Sequence, residues 1–294
     1  MPIDPEIDKA YNPSVWSNRY SESYDEFLDL SKKAVEKARS SIPCKIDIAY
    51  GPTERMKFDI YGINLPNDAP VLVFIHGGYW RECNKESAGF HISPFVSKGI
   101  KVINVGYDLC PAVTLTDIVN EIRSAIETIL KYCKKTGTKS IWISGHSAGA
   151  HLAASILYDR EWHTSMKHQQ LFQLIKGLIL LGGIYSLEPL VKTSVNEDLK
   201  LTEQEIKTIS YNTLDMSKTE PINGIKVLVV VGESDAPTFI NESRNYAKKL
   251  MDFVDQVEFI LLREKIDHFE IVEKFSDPSF SLFKIIMSIM NYES

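Results

Sequence analysis

The sequence has few cysteines and histidines, and their arrangement argues against a protein built around a metal. Four cysteines occur in 294 residues, and none forms a Cys-x-x-Cys pair of the kind that holds structural zinc. The seven histidines do not pair with carboxylates at the spacing of metal ligands. We therefore expect no metal ion and no organic cofactor.

Blocks of positive charge and long hydrophobic runs are also lacking. The formal charge is −6 and the basic residues are scattered, so neither nucleic acid nor a membrane surface is an expected partner. The longest apolar run, near "GLILLGGI", is too short to cross a bilayer, and the acidic first residues lack the apolar core of a secretory signal. These shortages predict a soluble cytosolic protein with free thiols.

Short apolar runs recur along the chain, and they predict a mostly parallel, doubly wound α/β sheet. Continuous apolar runs are typical of strands buried on both faces, and helical patterns separate most of them. The segments "KIDIAY" and "RMKFDIY" instead alternate apolar and polar residues, which predicts an antiparallel pair at the N-terminal edge of the sheet. The six continuous runs are Val71–Ile75, Lys101–Val105, Ser140–Ser144, Gly177–Leu181, Lys226–Val231 and Val257–Leu262.

No linker or internal repeat divides the chain, so we predict a single domain over residues 1–294. Residues 1–42 form an N-terminal segment that ends in a helix, predicted from about Tyr24 to Arg39 by its apolar spacing. A polar insertion at about residues 186–222 separates two predicted strands. We expect it to form a small cap over the carboxyl end of the sheet, and a surface excursion without a role is the alternative.

The stretch "SIWISGHSAGAHLAAS" joins a predicted buried strand to an alanine-rich helix at Ser147. Its centre, "GHSAG", matches the Gly-x-Ser-x-Gly nucleophile elbow in the strand–turn–helix context that this motif requires. The elbow strains the backbone of its serine, and side chains at the glycine positions would collide with neighbouring backbone. An ordinary strand-to-helix connection is the alternative, but the motif in its context favours Ser147 as a nucleophile.

A serine nucleophile needs a base within hydrogen-bond reach, and the base needs an orienting carboxylate. In chains with this elbow the partners follow in the order Ser, Asp or Glu, His. His268 follows the last core strand, so we assign it as the general base. The preceding strand ends in "GESDAP", where Asp235 is the predicted orienting acid because it has more loop in which to approach His268. Glu233 is the alternative acid.

Four other residues with reactive side chains receive structural roles. We expect His163 and His168 to be solvated, because they lie in polar helical context. Asp267 is adjacent to His268 in sequence, and neighbours seldom meet ring to carboxylate, so we assign it a surface or loop-stabilising role. Cys110 is expected to be a buried small hydrophobe.

The segment "VLVFIHGGYW" ends another core strand in glycine and resembles the HGGG-type oxyanion loop of esterases. Glycine lets the backbone approach a substrate closely and direct N–H groups at it. We predict that the backbone N–H groups of Gly78, Tyr79 and Ala148 form an oxyanion hole.

The other residues of this motif are expected to have structural roles. His76 and Gly77 are expected to organise the loop, and Trp80 either walls the pocket or fills the core.

Together these residues resemble the kynurenine formamidase, or arylformamidase, family of the α/β-hydrolase fold. "YNPSVWSNRY" resembles the entry segment of that family, and "IDIAYG" and "KFDIYG" match its first two strands. "FIHGGYW" carries its HGGxW motif and "ISGHSAGAHLAA" its elbow. "GGIYSLEPLV", "VVVGESDAPTF" and "DHFEIVE" follow in the expected order, the last two carrying Asp235 and His268.

The resemblance implies hydrolysis of N-formyl-L-kynurenine to L-kynurenine and formate, a step of tryptophan degradation, through a formyl-enzyme. It also implies a possible homodimer. Tyr79, Trp80, Tyr185 and Phe239 are candidates to flank the aromatic ring, with ordinary packing as the alternative for each. A broad carboxylesterase using the same triad is the competing function, and a non-catalytic binding protein on a hydrolase scaffold is a third hypothesis.

Overall fold

Eight strands form one sheet in the computed structural model, which describes residues 2–19, 23–216 and 220–291. They coincide with the six continuous apolar runs and the two alternating segments of the sequence. The strands are β1 (Cys44–Ala49), β2 (Lys57–Tyr61), β3 (Val71–Ile75), β4 (Lys101–Val105), β5 (Ile141–His146), β6 (Ile175–Leu181), β7 (Ile222–Gly232) and β8 (Val254–Leu262).

The sheet has the strand order β1-β2-β4-β3-β5-β6-β7-β8. Strand β2 is antiparallel to both of its neighbours, and the other adjacent pairs are parallel. The predicted α/β-hydrolase architecture with an antiparallel N-terminal edge is therefore confirmed. Because β3 and β5 are adjacent, with Ile75 opposite Gly145, the glycine loop and the serine elbow emerge side by side.

Burial along the strands explains their two kinds of sequence pattern. All residues of β3, β4 and β5 are buried, as continuous apolar runs predict for strands covered on both faces. Strand β1 lies at the edge and has no fully buried residue. The alternating pattern there reflects one solvated face.

Twelve α-helices are formed by the described residues, and they pack on both faces of the sheet. They are α1 (Pro5–Ala10), α2 (Pro13–Trp16), α3 (Ser23–Ser41), α4 (Ile92–Ser97), α5 (Leu115–Thr136), α6 (Ala148–Ala154), α7 (Arg160–His168), α8 (Asn196–Leu199), α9 (Glu203–Ile209), α10 (Pro237–Leu250), α11 (Glu270–Glu273) and α12 (Ser281–Asn291). Among the described residues, none of these helices is both long and apolar enough to cross a membrane.

The two faces of the sheet support two separate hydrophobic cores. Val73 and Ile75 of β3 point into the larger core, where they join the apolar stripe of α5. Leu72 and Phe74 point the other way and pack with residues of α3 and α12. The period of two along a strand thus divides one apolar run between both cores.

Local signals fix the ends of α5. Thr114 caps its N-terminus and forms a capping box with Asp117, and Gly137 ends it in a left-handed conformation with φ 96°. Such caps satisfy backbone groups that a helix end leaves unpaired. Helix α3 spans Ser23–Ser41, close to the predicted Tyr24–Arg39.

The predicted cap region contains a 3₁₀ helix at Glu188–Lys192, followed by α8 and α9. It lies against the N-terminal helix, because the N–H of Asp4 donates to the carbonyl of Lys192 at 2.8 Å. Residues 217–219 of this region lie outside the described residues, as does Tyr20 at the end of the entry segment. The role of the region as a cap, and the division of the chain as one domain, stay predictions.

Candidate active site

Ser147 lies at the sharp turn between β5 and α6. Its backbone has φ 56° and ψ −123°, a strained conformation for a residue with a side chain. The N–H of Ser147 donates to the carbonyl of Leu181 at 2.8 Å, which fixes the turn to the neighbouring strand β6. The elbow conformation predicted from "GHSAG" is therefore present.

Sterics explain the two glycines of the elbow. A Cβ on Gly145 would overlap the backbone of Gly149, and a Cβ on Gly149 would overlap the carbonyl groups of Ile75 and His76. Any side chain at these two positions would push α6 away from the end of β3. The glycines therefore keep the serine close to the loop that follows β3.

His268 and Asp235 form a buried pair at the carboxyl ends of β8 and β7. His268 Nδ1 lies 2.8 Å from Asp235 Oδ2, and the two side chains are 3% and 0% exposed. Because a carboxylate accepts hydrogen bonds, the ring donates from Nδ1 and leaves Nε2 as its basic nitrogen. Asp235 Oδ1 accepts from the N–H of Ala236 at 2.7 Å, which holds the carboxylate in place.

Glu233, the alternative acid, is used elsewhere. It accepts from the backbone N–H of Lys265 at 2.8 Å and pairs with Arg263 at 3.1 Å. These bonds hold the start of the loop that leads to His268. The structure thus pairs Asp235, and not Glu233, with the histidine.

Ser147 and His268 line the same cavity. Within the described residues, the Ser147 hydroxyl forms no hydrogen bond to His268, whose side chain bonds to Asp235. Hydrogen bonds of this kind are often long in enzymes without substrate and shorten in the reactive complex. The transfer of a proton from Ser147 to His268 therefore stays a prediction.

His146 ties the elbow to the loop that carries His268. Its Nε2 donates to the carbonyl oxygen of His268 at 2.8 Å, and the two rings lie 4.7 Å apart. Burial, together with the nearby His268, holds the pKa of His146 well below its usual value. His146 therefore remains neutral and keeps this bond when its neighbour takes up a proton.

The loop after β3 turns sharply through three residues with positive φ: Gly78 at 101°, Tyr79 at 46° and Trp80 at 56°. The carbonyl of Gly78 accepts from the N–H groups of Arg81 and Glu82, both at 3.0 Å. Within the described part of the chain, the N–H groups of Gly78 and Tyr79 donate to no protein acceptor.

The loop lies close to Ser147. A Cβ built on Gly77 would lie 3.1 Å from Cβ of Ser147. Ala148 is the first residue of α6, where the N–H has no partner within the helix. The arrangement agrees with the predicted oxyanion hole, which stays a proposal.

His76 lies beneath this loop and is buried. Its Nδ1 donates to the carbonyl of Gly77 at 2.8 Å, and its ring stacks on Tyr107 with centroids 4.2 Å apart. Burial lowers the pKa of His76 to about 3, so the ring is neutral at physiological pH. These contacts suit the predicted loop-organising role.

For three of the four candidate substrate-flanking aromatics, the structure favours the alternative of ordinary packing. Trp80, Tyr185 and Phe239 are fully buried and do not line the cavity. Their rings turn into the core, where Tyr185 stacks on Tyr246 at 3.8 Å and Phe239 meets the edge of His268 at 4.7 Å. Tyr79 does line the cavity, with its hydroxyl donating to the carbonyl of Tyr11.

The cavity has a volume of about 310 Å³, and sequence reasoning missed most of its walls. Tyr24 and Phe27 of α3 line it, although the apolar spacing of this segment predicted only a helix. Phe27 lies 5.4 Å from Phe269, and Tyr24 lies 6.0 Å from Phe269, between ring centroids. The segment "YNPS" also lines it, and its resemblance to a family entry segment was the available signal.

Asp267, His163 and His168 were each expected to have a structural or solvated position, and the structure agrees in part. Asp267 is fully buried and accepts from the N–H groups of Phe269 and Glu270 at 2.9 and 2.8 Å. It therefore stabilises the loop, and the expectation of a surface position is wrong. His168 is exposed, but His163 is partly buried and donates to the carbonyl of Ile156.

Cys110 is buried as expected, and burial raises its pKa to about 12. Within the described residues, no cluster of three or more His, Cys, Asp or Glu side chains is arranged to hold a metal ion.

Comparison with known proteins places the chain among hydrolases. The BD-FAE family profile matches residues 58–250. Kynurenine formamidase of Salmo salar is 32% identical over 97% of this chain and 96% of its own length. That of Danio rerio is 33% identical with the same coverage. The fold also matches a hyperthermophilic esterase from Pyrobaculum calidifontis with a TM-score of 0.67, at 18% identity over 100% of this chain and 99% of the esterase.

Proposed function

This chain belongs to the kynurenine formamidase family and to the BD-FAE family, and on that premise we propose that it hydrolyses N-formyl-L-kynurenine to L-kynurenine and formate. The observation that carries the proposal is the buried His268–Asp235 pair in contact with the cavity that Ser147 lines. A base oriented in this way supplies what a serine needs in order to attack an amide.

The first half of the reaction forms a formyl-enzyme. Ser147 Oγ attacks the formyl carbon while His268 Nε2 takes the hydroxyl proton. The negative charge that develops on the carbonyl oxygen is stabilised by the N–H groups of Gly78, Tyr79 and Ala148. The C–N bond then breaks, and His268 passes its proton to the departing aryl amine, which leaves the formyl group as an ester on Ser147.

The second half releases formate. A water molecule attacks the formyl ester, and His268 takes one of its protons. Collapse of this second tetrahedral species breaks the bond to Ser147, and His268 returns the proton to the serine oxygen. Asp235 stabilises the imidazolium in both halves through its bond to Nδ1.

The walls of the cavity suit an aromatic amide. The rings of Tyr24, Phe27 and Phe269 form an apolar surface near His268, against which an aryl ring packs favourably. An aryl amine is also a better leaving group than an alkyl amine, because its lone pair delocalises into the ring.

Steady-state kinetics test the proposal. We expect wild-type enzyme to release formate from N-formyl-L-kynurenine, and Ser147→Ala to lower kcat/KM by several orders of magnitude, roughly 10⁴–10⁶. A kcat/KM for p-nitrophenyl acetate that exceeds the formamide value by several decades would instead identify a broad carboxylesterase. Failure of an organophosphonate probe to label Ser147 would favour a non-catalytic protein.

We propose that the protein acts in the cytosol. All four cysteines are free thiols, which agrees with action in the cytosol. A homodimer is proposed from family resemblance, and sedimentation of the purified protein tests it.

A further inference from the structure

Charged side chains are few around the cavity that holds Ser147 and His268. The Arg, Asp and Glu side chains that line it are Arg81, Asp8 and Glu82. Burial lowers the pKa of three histidines of the wall, which are therefore neutral: His76, His91 and His146. With the catalytic histidine set aside, Arg81 is thus the single permanent cation among the described residues that line the cavity.

Arg81 is placed where it can reach a bound ligand. Its backbone N–H donates to the carbonyl of Gly78 at 3.0 Å, so the side chain begins within the loop of the predicted oxyanion donors. Its Nη1 pairs with Asp198 at 2.9 Å, and the two side chains are 31% and 44% exposed. Partly exposed ion pairs of this kind contribute little to the free energy of folding, so Arg81 can exchange this partner for a ligand at low cost. Within the described residues, Nε and Nη2 of Arg81 donate to no acceptor.

Asp8 faces the same cavity from helix α1. Its Oδ1 accepts from the N–H and the hydroxyl of Ser194 at 2.7 and 2.8 Å. Ser194 belongs to the predicted cap and also lines the cavity. Oδ2 of Asp8 accepts no hydrogen bond from the described residues. The carboxylate is thus held in position by one oxygen and offers the other.

We propose that Arg81 and Asp8 form a subsite for the α-amino-acid end of the substrate, with Arg81 binding its carboxylate and Asp8 its ammonium group. The inference rests on the proposed function, because the aryl formamide considered there carries a zwitterionic amino acid. The planar guanidinium matches a carboxylate with two parallel N–H groups. A carboxylate oxygen without a protein partner suits an ammonium donor.

Glu82 is a less suitable partner for the ammonium group. It lies beside Tyr24, whose pKa is raised mainly by burial and further by the neighbouring Cys83 and Glu82. Its charge repels a carboxylate and so favours the orientation in which that end of the substrate turns toward Arg81.

Calorimetry on the inactive Ser147→Ala protein tests the subsite without turnover. We expect a further Arg81→Met change to weaken binding of L-kynurenine by about 10- to 100-fold. Binding of 2′-aminoacetophenone, which has the ring but no amino-acid end, should stay within about twofold. Asp8→Asn should weaken the binding of L-kynurenine to a similar extent. It should leave unchanged the binding of 4-(2-aminophenyl)-4-oxobutanoic acid, which lacks the ammonium group.

Two control variants separate recognition from structure. Arg263→Met removes a guanidinium that is also paired through Nη1 with a carboxylate but does not line the cavity, and binding should be unchanged. Asp198→Asn breaks the ion pair of Arg81 and leaves the guanidinium, so binding of L-kynurenine should persist. Three results would overturn the subsite. The first is an equal loss of affinity for L-kynurenine and 2′-aminoacetophenone in Arg81→Met, and the second is no loss of affinity for either ligand. The third is loss of L-kynurenine binding in Asp198→Asn.

Circular dichroism checks that the variants are folded, and Arg81→Lys replaces Arg81→Met if the latter unfolds. Lysine keeps the positive charge but lacks the two parallel N–H groups of the guanidinium. L-Kynurenine should therefore bind several-fold more weakly, whereas the binding of 2′-aminoacetophenone should be unchanged. Formate release by wild-type enzyme is measured separately. Its absence would refute the proposed function, whereas the calorimetric comparison would still decide the subsite.

Discussion

At the scale of single residues, the two acids after β7 have separate tasks. Asp235 is buried against His268, and Glu233 ties Lys265 and Arg263 at the start of the next loop. They are two positions apart, so their sequence context is nearly the same. What distinguishes them is the direction in which the loop turns after Gly232.

We expect Asp235→Asn to lower kcat for the formamide by roughly 10⁴, because the amide no longer selects the tautomer that leaves Nε2 basic. Glu233→Gln is the matched control. It removes a salt bridge of the partly exposed type, so kcat should change by no more than about threefold. Steady-state formate release measures both, and a larger loss in Glu233→Gln would reverse the assignment.

The sequence predicts the motif residues of the site but not which other side chains line the cavity. Ser147, Asp235 and His268 could be predicted as a triad because each follows a recognisable strand. Trp80 and Tyr185 also follow strands, but whether a loop turns a ring into the core or into the cavity depends on distant neighbours. Arg81 and Asp198 are 117 positions apart, and no local pattern predicts that they meet.

At the scale of elements, the strands were the most predictable part of the chain. An apolar run marks each of β3 to β8, so these strands were visible in the sequence. The run in β8 predicted burial on both faces, which is wrong, because β8 lies at the edge of the sheet and is mostly exposed or half-buried. Helix α3 was predicted nearly in full, yet its part in the cavity was not. One apolar stripe serves both purposes, because Phe27 packs in the core and also lines the cavity.

Helix α5 permits a prediction about element stability. Thr114→Ala removes its capping box and should lower the free energy of unfolding by about 1 kcal/mol. Thr128→Ala is the control within the same helix. Thr128 donates back to the carbonyl of Ser124 in the helix interior, where alanine is at least as favourable. Chemical denaturation measures both, and kcat should be unchanged in each variant.

At the scale of the whole molecule, buried neutral histidines make the fold sensitive to acid. Burial lowers the pKa of His76 to about 3 and those of His91 and His151 to about 4. Once unfolded, each regains a pKa near 6.5. As pH falls from 6.5 toward 4, the unfolded chain therefore binds protons that the folded chain does not, and stability falls.

At pH 5 each of these histidines should cost about 2 kcal/mol of unfolding free energy relative to pH 7.5. Glu121 opposes the trend, since burial raises its pKa to about 7 and its folded form takes up a proton first. Denaturation curves at the two pH values measure the net change in the free energy of unfolding with pH. His91→Gln removes one titrating ring and should flatten it, whereas a slope near zero in the wild type would contradict the prediction.

The lateral pairing of β3 with β5 joins two parts of the proposed active site that 65 intervening residues, 76–140, keep apart along the chain. Their register, with Ile75 opposite Gly145, sets the offset between the loop proposed to stabilise an anion and the hydroxyl of Ser147. A slip of one position would displace one against the other by about 3.3 Å. An insertion or deletion of one residue within β3 or β5 would therefore misplace the loop relative to the serine, so the alignment of the two strands is under strong constraint.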